Sequence, residues 1–267
     1  MNSNPIGMFD SGVGGITVFS ELVKEFPNED IIYLGDTKRF PYGSKSKESI
    51  IELSKQSTDF LISKGVKVII IACGTATSQA LTELRKIYNI PIIGILEATV
   101  NEVTKENKYY KIGVIATSAT INSKAWETEL KKKNNNIEVI SRACPLLASM
   151  AEEGWIDNKV AKYTIHEYIS PFKEESIDKL ILGCTHYPLY INLIRKELGN
   201  RIDIIDTGKM LRKYLRGILE KKKLLSADNN IPKYDIYLTD TESKFIQVAN
   251  NLLQNENKIF IEKIKKI

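Results

Sequence analysis

Of the three cysteines in this 267-residue chain, two stand where a thiol could do chemistry. Cys73 ends the apolar run from Val68 to Ala72 and opens into Gly74-Thr75. Cys184 ends Leu180-Ile181-Leu182-Gly183 and opens into Thr185-His186. A lone cysteine at a strand end usually behaves as a small apolar residue. Two at matching strand ends, each with a hydroxyl within two residues, point instead to function. A helix N-terminus draws a thiol's pKa from about 8.5 toward neutrality, and the thiolate so favoured can accept a proton. Cys144, in Arg142-Ala143-Cys144-Pro145, has no polar turn beyond it and reads as structural. No zinc-like CxxC pair occurs, so no metal site is expected.

Other motifs offer polar groups, each with a plainer alternative. Asp10-Ser11-Gly12-Val13-Gly14-Gly15 follows a candidate strand and opens a candidate helix. Its glycines permit close approach, and amides at a helix start suit a carboxylate or phosphate. The lysine of a P-loop and the spacing of a dinucleotide fingerprint are both absent. Asp10 could hold an ammonium group or orient a thiol, or could simply cap the helix. His186 could assist Cys184 or be an ordinary turn histidine; His166, amid Tyr163, Glu167 and Tyr168, reads as surface. Pro41-Tyr42-Gly43 could bind a carboxylate through amides and the phenol, or only bend a loop. Glu152, at a helix end before Gly154, could point into a cleft or into solvent.

These residues must be positioned by a scaffold. Candidate strands are Ile6–Phe9, Ile31–Leu34, Val66–Ala72, Ile92–Ile95, Lys111–Ile115, Ile137–Ser141, Asp178–Leu182, Ile202–Ile205 and Tyr234–Leu238. Candidate helices are Ile16–Phe26, Lys47–Lys64, Thr77–Tyr88, Ser123–Lys133, Asn158–Ile169, Leu189–Leu198, Gly208–Lys222 and Glu242–Leu253. The alternation argues an α/β fold. Strands apolar throughout argue mostly parallel sheet with helices on both faces. In such sheets ligands sit beyond the strands' carboxyl ends.

The order also repeats. Ile6–Phe9 ends in Asp10-Ser11, and about sixty residues on a strand ends in Cys73; Lys111–Ile115 leads to Ala116-Thr117-Ser118, and a similar interval later a strand ends in Cys184. Two similar lobes, 1–97 plus 207–267 and 98–206, would bring both cysteine turns to one cleft. The match is short, and chance resemblance between two βα units is the alternative.

Composition narrows the class. Lys and Arg number 38 against 33 Asp and Glu, a net charge of +5, and 43% of residues are hydrophobic. The basic runs, such as Lys131-Lys132-Lys133, Lys221-Lys222-Lys223 and Lys263 to Lys266, are short and read as solvated ends. No Arg-rich stripe interleaves with aromatics, so nucleic acid is not an expected partner. No apolar run approaches the ~20 residues of a membrane span. The N-terminus lacks the pattern of a signal peptide, so a cytoplasmic protein is expected.

Taken together, Gly7-Met8-Phe9-Asp10-Ser11-Gly12-Val13-Gly14-Gly15, Pro41-Tyr42-Gly43, Ala72-Cys73-Gly74-Thr75-Ala76, Gly113-Val114-Ile115-Ala116-Thr117 and Leu182-Gly183-Cys184-Thr185-His186-Tyr187-Pro188-Leu189 resemble the glutamate racemase family. The resemblance spans nearly the whole chain. It implies two facing α/β domains and racemisation of glutamate without pyridoxal phosphate, metal or nucleotide. It implies Cys73 and Cys184 as paired acid and base, with Asp10 assisting Cys73 and Glu152 and His186 assisting Cys184. Asp10, Ser11, Pro41, Tyr42, Gly43, Gly74, Thr75, Thr117, Thr120, Thr185 and His186 would bind substrate. It further implies a bacterial enzyme that supplies D-glutamate for peptidoglycan, often as a homodimer. One departure stands out. The family's commonest pair after the first cysteine is Asn-Thr, whereas this chain has Gly74-Thr75, which offers only a backbone amide. The rivals are a racemase of aspartate or another small acidic amino acid, a silent glutamate-binding member, and a Cys184–His186 hydrolase.

Overall fold

In the computed structural model, residues 3–106, 110–226, 231–240 and 259–264 are described. Its strands are β1 (Ile6–Asp10), β2 (Ile31–Gly35), β3 (Val68–Ile71), β4 (Ile92–Gly94), β5 (Lys111–Ala116), β6 (Glu138–Ala143), β7 (Lys179–Leu182), β8 (Asp203–Asp206), β9 (Tyr234–Leu238) and β10 (Ile259–Lys263). Its helices are α1 (Gly15–Glu25), α2 (Lys47–Ser63), α3 (Gly74–Ile87), α4 (Ile95–Val103), α5 (Ser118–Asn122), α6 (Ala125–Lys133), α7 (Pro145–Glu152), α8 (Lys159–Ile169), α9 (Pro171–Glu174), α10 (Ile191–Leu198) and α11 (Thr207–Lys221).

The strands form two sheets, ordered β10-β9-β2-β1-β3-β4 and β6-β5-β7-β8, and every described pairing is parallel. Each residue of β1, β2 and β3 is buried. That requires apolar cover on both faces, which is why these strands read as unbroken apolar runs. On the first sheet, α1 and α11 cover one face around Phe19, Leu211 and Leu215. Ala76, Ala80 and Leu84 of α3 and Ile50 and Leu61 of α2 cover the other.

The repeat in the sequence is a repeat of topology. The second sheet, read β8-β7-β5-β6, has the order of β4-β3-β1-β2 in the first. In each, a strand ending in carboxylate or hydroxyl groups (β1, β5) lies beside a strand leading to a cysteine (β3, β7).

All nine expected strands form, with ends moved by at most two residues. β10 pairs with β9 at the sheet edge and was hidden by its Lys and Glu. α4 was hidden for the opposite reason: it is short, and its polar face, Glu97, Asn101 and Glu102, is narrow beside its apolar residues. Its Ile95 and Ala98 enter the first lobe's core, while Leu96, Val100 and Val103 enter the second's. The expected helix Glu242–Leu253 lies outside the described residues.

Candidate active site

Pairing of β1 with β3 sets Asp10-Ser11 beside Cys73. Cys73 is the N-cap of α3. Its thiol donates toward Ser11 Oγ at 3.7 Å and accepts from the Ala76 amide at 3.4 Å. The helix start favours the thiolate. Burial, then the nearby charge of Asp10, oppose that and push the thiol up to about 12, against the Ala76 and Ser11 hydrogen bonds. At rest Cys73 is therefore a thiol, and once ionised a strong base.

Cys184 is supported differently. No α-helix begins at it; a 3-10 turn, Tyr187–Tyr190, intervenes before α10. Its sulfur instead lies 3.6 Å from His186 Nδ1, and His186 Nε2 lies 2.7 Å from Glu152 Oε1. Burial alone would lower the pKa of this imidazole. Hydrogen bonds and charge from Cys184 and Glu152 outweigh burial and hold it well above 6.5. His186 is buried, and the Glu152 side chain is 14% exposed. Neither is a solvated surface residue.

The two lobes meet through these groups. Asp10 does not cap α1, whose N-cap is Gly14. Its Oδ1 accepts from the Gly12 amide at 3.1 Å and its Oδ2 from the Thr185 hydroxyl at 3.2 Å. Burial raises its carboxyl to about 6 despite the opposing pull of His186 and these hydrogen bonds. The glycine loop does hold a carboxylate, as its amides suggested, but the chain's own: Val13 N–H donates to Glu152 Oε1 at 2.9 Å. Thr75 Oγ1 of the first lobe lies 2.8 Å from Thr117 Oγ1 and 3.2 Å from Thr120 Oγ1 of the second. A Cβ on Gly43 would lie 2.7 Å from Thr117 Cβ, so the Pro41-Tyr42-Gly43 turn rests on Thr117. A Cβ on Gly74 would collide with the Gly183 carbonyl oxygen, so the two cysteine turns meet backbone to backbone.

The structure thus gathers the expected residues from both lobes at one place, at the carboxyl ends of β1, β3, β5 and β7. Sequence reasoning missed their supports. Asp36, fully buried, accepts from the Tyr42 phenol at 2.5 Å, the Thr239 hydroxyl at 2.9 Å and Arg39 Nε at 2.7 Å. Phe40 lies against the His186 ring, with centroids 5.5 Å apart. Thr17 donates to the Thr185 carbonyl at 2.9 Å. None has a motif of its own; only Phe40 adjoins one, at Pro41. Cys144 and His166 lie apart: Cys144 is wholly buried and its carbonyl accepts from Tyr187, while His166 meets Glu197 on the surface. No cluster of three or more metal-ligating side chains occurs among the described residues.

Residues 13–215 match the Asp/Glu/hydantoin racemase family. The chain belongs to this family. It is a racemase, an enzyme of the isomerase class. A glutamate racemase of Sulfurihydrogenibium sp. is 44% identical over 93% of this chain and 94% of its own. The crystal structure of glutamate racemase from Francisella tularensis, in complex with D-glutamate, superposes with a TM-score of 0.91 at 42% identity, covering 99% of this chain and 98% of that one. A glutamate racemase isoform from Bacillus anthracis superposes at 0.93 with 36% identity, over 99% and 98%. Set against this racemase family, a Cys–His hydrolase loses its appeal, because hydrolysis would leave Cys73 and its helix without a task.

Proposed function

We propose that this racemase interconverts L- and D-glutamate by two-cysteine proton transfer. The observation that carries the reading is the placing of Cys73 and Cys184 on facing turns, each with its own polar support. One thiolate removes the α-proton as the other thiol delivers a proton to the opposite face. The α-carbon inverts, and each cysteine is left in the other's starting state until protons exchange with solvent. Inversion of either hand needs one base and one acid on opposite faces, which a single cysteine cannot supply.

The supports divide the work. His186, held protonated between Glu152 and Cys184, stabilises a Cys184 thiolate. Asp10 and Ser11 border Cys73. Ser11, Tyr42, Gly43, Gly74, Thr75, Thr117, Thr120 and Thr185 supply hydroxyls and amides for the substrate's carboxylates and ammonium, with Pro41 shaping the turn. Fixed dipoles of this kind stabilise the carbanion-like state without reorganisation in a closed, dry site. The chain crosses between the lobes within α4 and at the start of α11, and movement about these crossings would open the lobes for entry. The relatives' names favour glutamate over aspartate, and no cofactor is assigned a step. The biological reading is a cytoplasmic homodimer feeding D-glutamate to peptidoglycan synthesis.

The test is circular dichroism and proton NMR in heavy water with L- and D-glutamate and with L-aspartate, without added cofactor. Inversion with deuterium entry for glutamate alone is expected. Cys73→Ala and Cys184→Ala should each abolish inversion. Inversion surviving either change, or activity on aspartate alone, overturns the mechanism or the substrate respectively.

A further inference from the structure

The Gly12–Gly14 loop belongs to the first lobe, yet it is fitted to the residues behind Cys184 in the second. Val13 N–H reaches Glu152 Oε1 at 2.9 Å, and Gly14 N–H reaches His186 Nε2 at 3.2 Å. That nitrogen can donate to Glu152 or accept from Gly14, but not both, so the two contacts serve different protonation states of the ring. There is no room between loop and relay. A Cβ on Gly14 would lie 2.5 Å from His186 Nδ1 and 2.6 Å from Thr185 Oγ1, and one on Gly12 would collide with Glu152 Oε1. The loop is braced from behind, where the buried Tyr33 phenol donates to the Gly12 carbonyl at 2.6 Å. The hydrogen-bond partners of the Cys73 thiol, Ser11 and Ala76, come instead from its own lobe.

We infer that the Gly12–Gly14 loop is a positioning element for the Cys184 half of the reaction, completing the Glu152–His186–Cys184 relay across the cleft only when the lobes close. The Cys73 thiol's own hydrogen bonds stay within its lobe, whereas the relay behind Cys184 takes amide contacts from the other lobe. The inference rests on the two-cysteine reading, and its test separates the two.

A variant's racemisation rate does not say which half is impaired, because each turnover uses both cysteines. Elimination from the enantiomers of 3-chloroglutamate does. One base removes the α-proton, the carbon–carbon double bond forms as the carbon–chlorine bond breaks, and chloride leaves. Water then hydrolyses the enamine to 2-oxoglutarate and ammonium, so a single cysteine suffices. Cys73→Ala and Cys184→Ala identify which enantiomer depends on which thiol; if they fail to separate the enantiomers, the two-cysteine reading itself falls.

Gly14 has helical angles, φ −55° and ψ −34°, so Gly14→Ala adds no backbone strain and acts through its contacts. It should slow the Cys184-dependent enantiomer about 100-fold and the Cys73-dependent one no more than about threefold, the scale of losing an acid–base assistant on one side only. Retained turnover of the second enantiomer is the control for folding. Replacing the Val13 amide by an ester, which removes one N–H and adds no bulk, should give the same split at smaller size. Equal losses for both enantiomers, or no loss for either, overturn the inference.

Discussion

Alanine at position 74 would place a methyl group where the first lobe touches the second. Gly74 is the first residue of α3, and on helix propensity alone Gly74→Ala should stabilise the fold by up to about 1 kcal/mol. The obstacle lies across the cleft, where the new Cβ would strike the Gly183 carbonyl oxygen. Gly183 cannot retreat. Its amide donates to the Ile115 carbonyl at 2.8 Å, and Trp126 Nε1 would lie 2.9 Å from a Cβ built on it. The lobes must therefore part by on the order of 1 Å, and a misplacement of that size costs about 100-fold in rate. That corresponds to about 2.7 kcal/mol of barrier.

The assay is steady-state circular dichroism in both directions, paired with denaturant unfolding. kcat/KM should fall about 100-fold while unfolding stability holds or rises. Gly74→Asn should fall further, because a larger side chain meets the same carbonyl. Unchanged kcat/KM for Gly74→Ala, or a gain for Gly74→Asn, would show that the two turns do not meet in the working enzyme.

Asp10 offers a test in which stability and activity move oppositely. Its carboxyl is raised from 3.8 to about 6, so between those values the native state binds more protons than the unfolded chain. Stability from this group is thus greatest at low pH and is lost as pH rises through about 6, a cost of about 3 kcal/mol at neutrality. Asp10→Asn should recover part of that at about pH 7.5 and little at about pH 3.5 while slowing racemisation; equal denaturant midpoints for the two proteins at both pH values would remove the burial argument. The thiols should differ toward an alkylating agent at mildly alkaline pH: Cys184, beside an imidazole, should be modified before Cys73, whose thiol is pushed to about 12, and peptide mass spectrometry reporting the reverse order would contradict the assignment. Tyr42→Phe removes a donor from buried Asp36 and should cost about 1–3 kcal/mol of stability and raise KM for glutamate, since the turn at 41–43 loses its anchor. An unchanged KM would separate that turn from substrate binding.

Both sheets were legible in the sequence because burial on two faces leaves a continuous apolar signature, as in Val68–Ile71 and Leu180–Leu182. The cysteine turns were legible because small and hydroxyl residues follow those runs. What escaped notice depends on tertiary neighbours. α4 keeps only a narrow polar face, Glu97, Asn101 and Glu102, because two of its sides meet different lobes. Asp36 looks like any loop carboxylate until Tyr42, Arg39 and Thr239 fold onto it. The clamp on the glycine loop joins Val13 to Glu152, 139 residues apart, and no local pattern announces such a contact. Gly74 read as a substrate contact reduced to its backbone amide; in the fold it is also the point where two backbones touch.

The duplicated topology supplies two facing thiols but not two equal ones. Cys73 caps a 14-residue helix and is pushed to about 12 by burial, whereas Cys184 lacks a helix start and leans on an imidazole and a carboxylate. A racemase tolerates this inequality. Its substrates are mirror images of equal free energy, so kcat/KM must be equal in the two directions whatever the cysteines' pKa values. The individual kcat values carry no such constraint. On the proposed two-cysteine mechanism they depend on which thiol must be ionised in the bound complex, and the two complexes begin from different ones. The pH profiles of kcat/KM should therefore coincide for the two directions while those of kcat separate. Coincident kcat profiles would mean that one shared step, such as lobe opening, limits both directions and masks the chemical difference between Cys73 and Cys184.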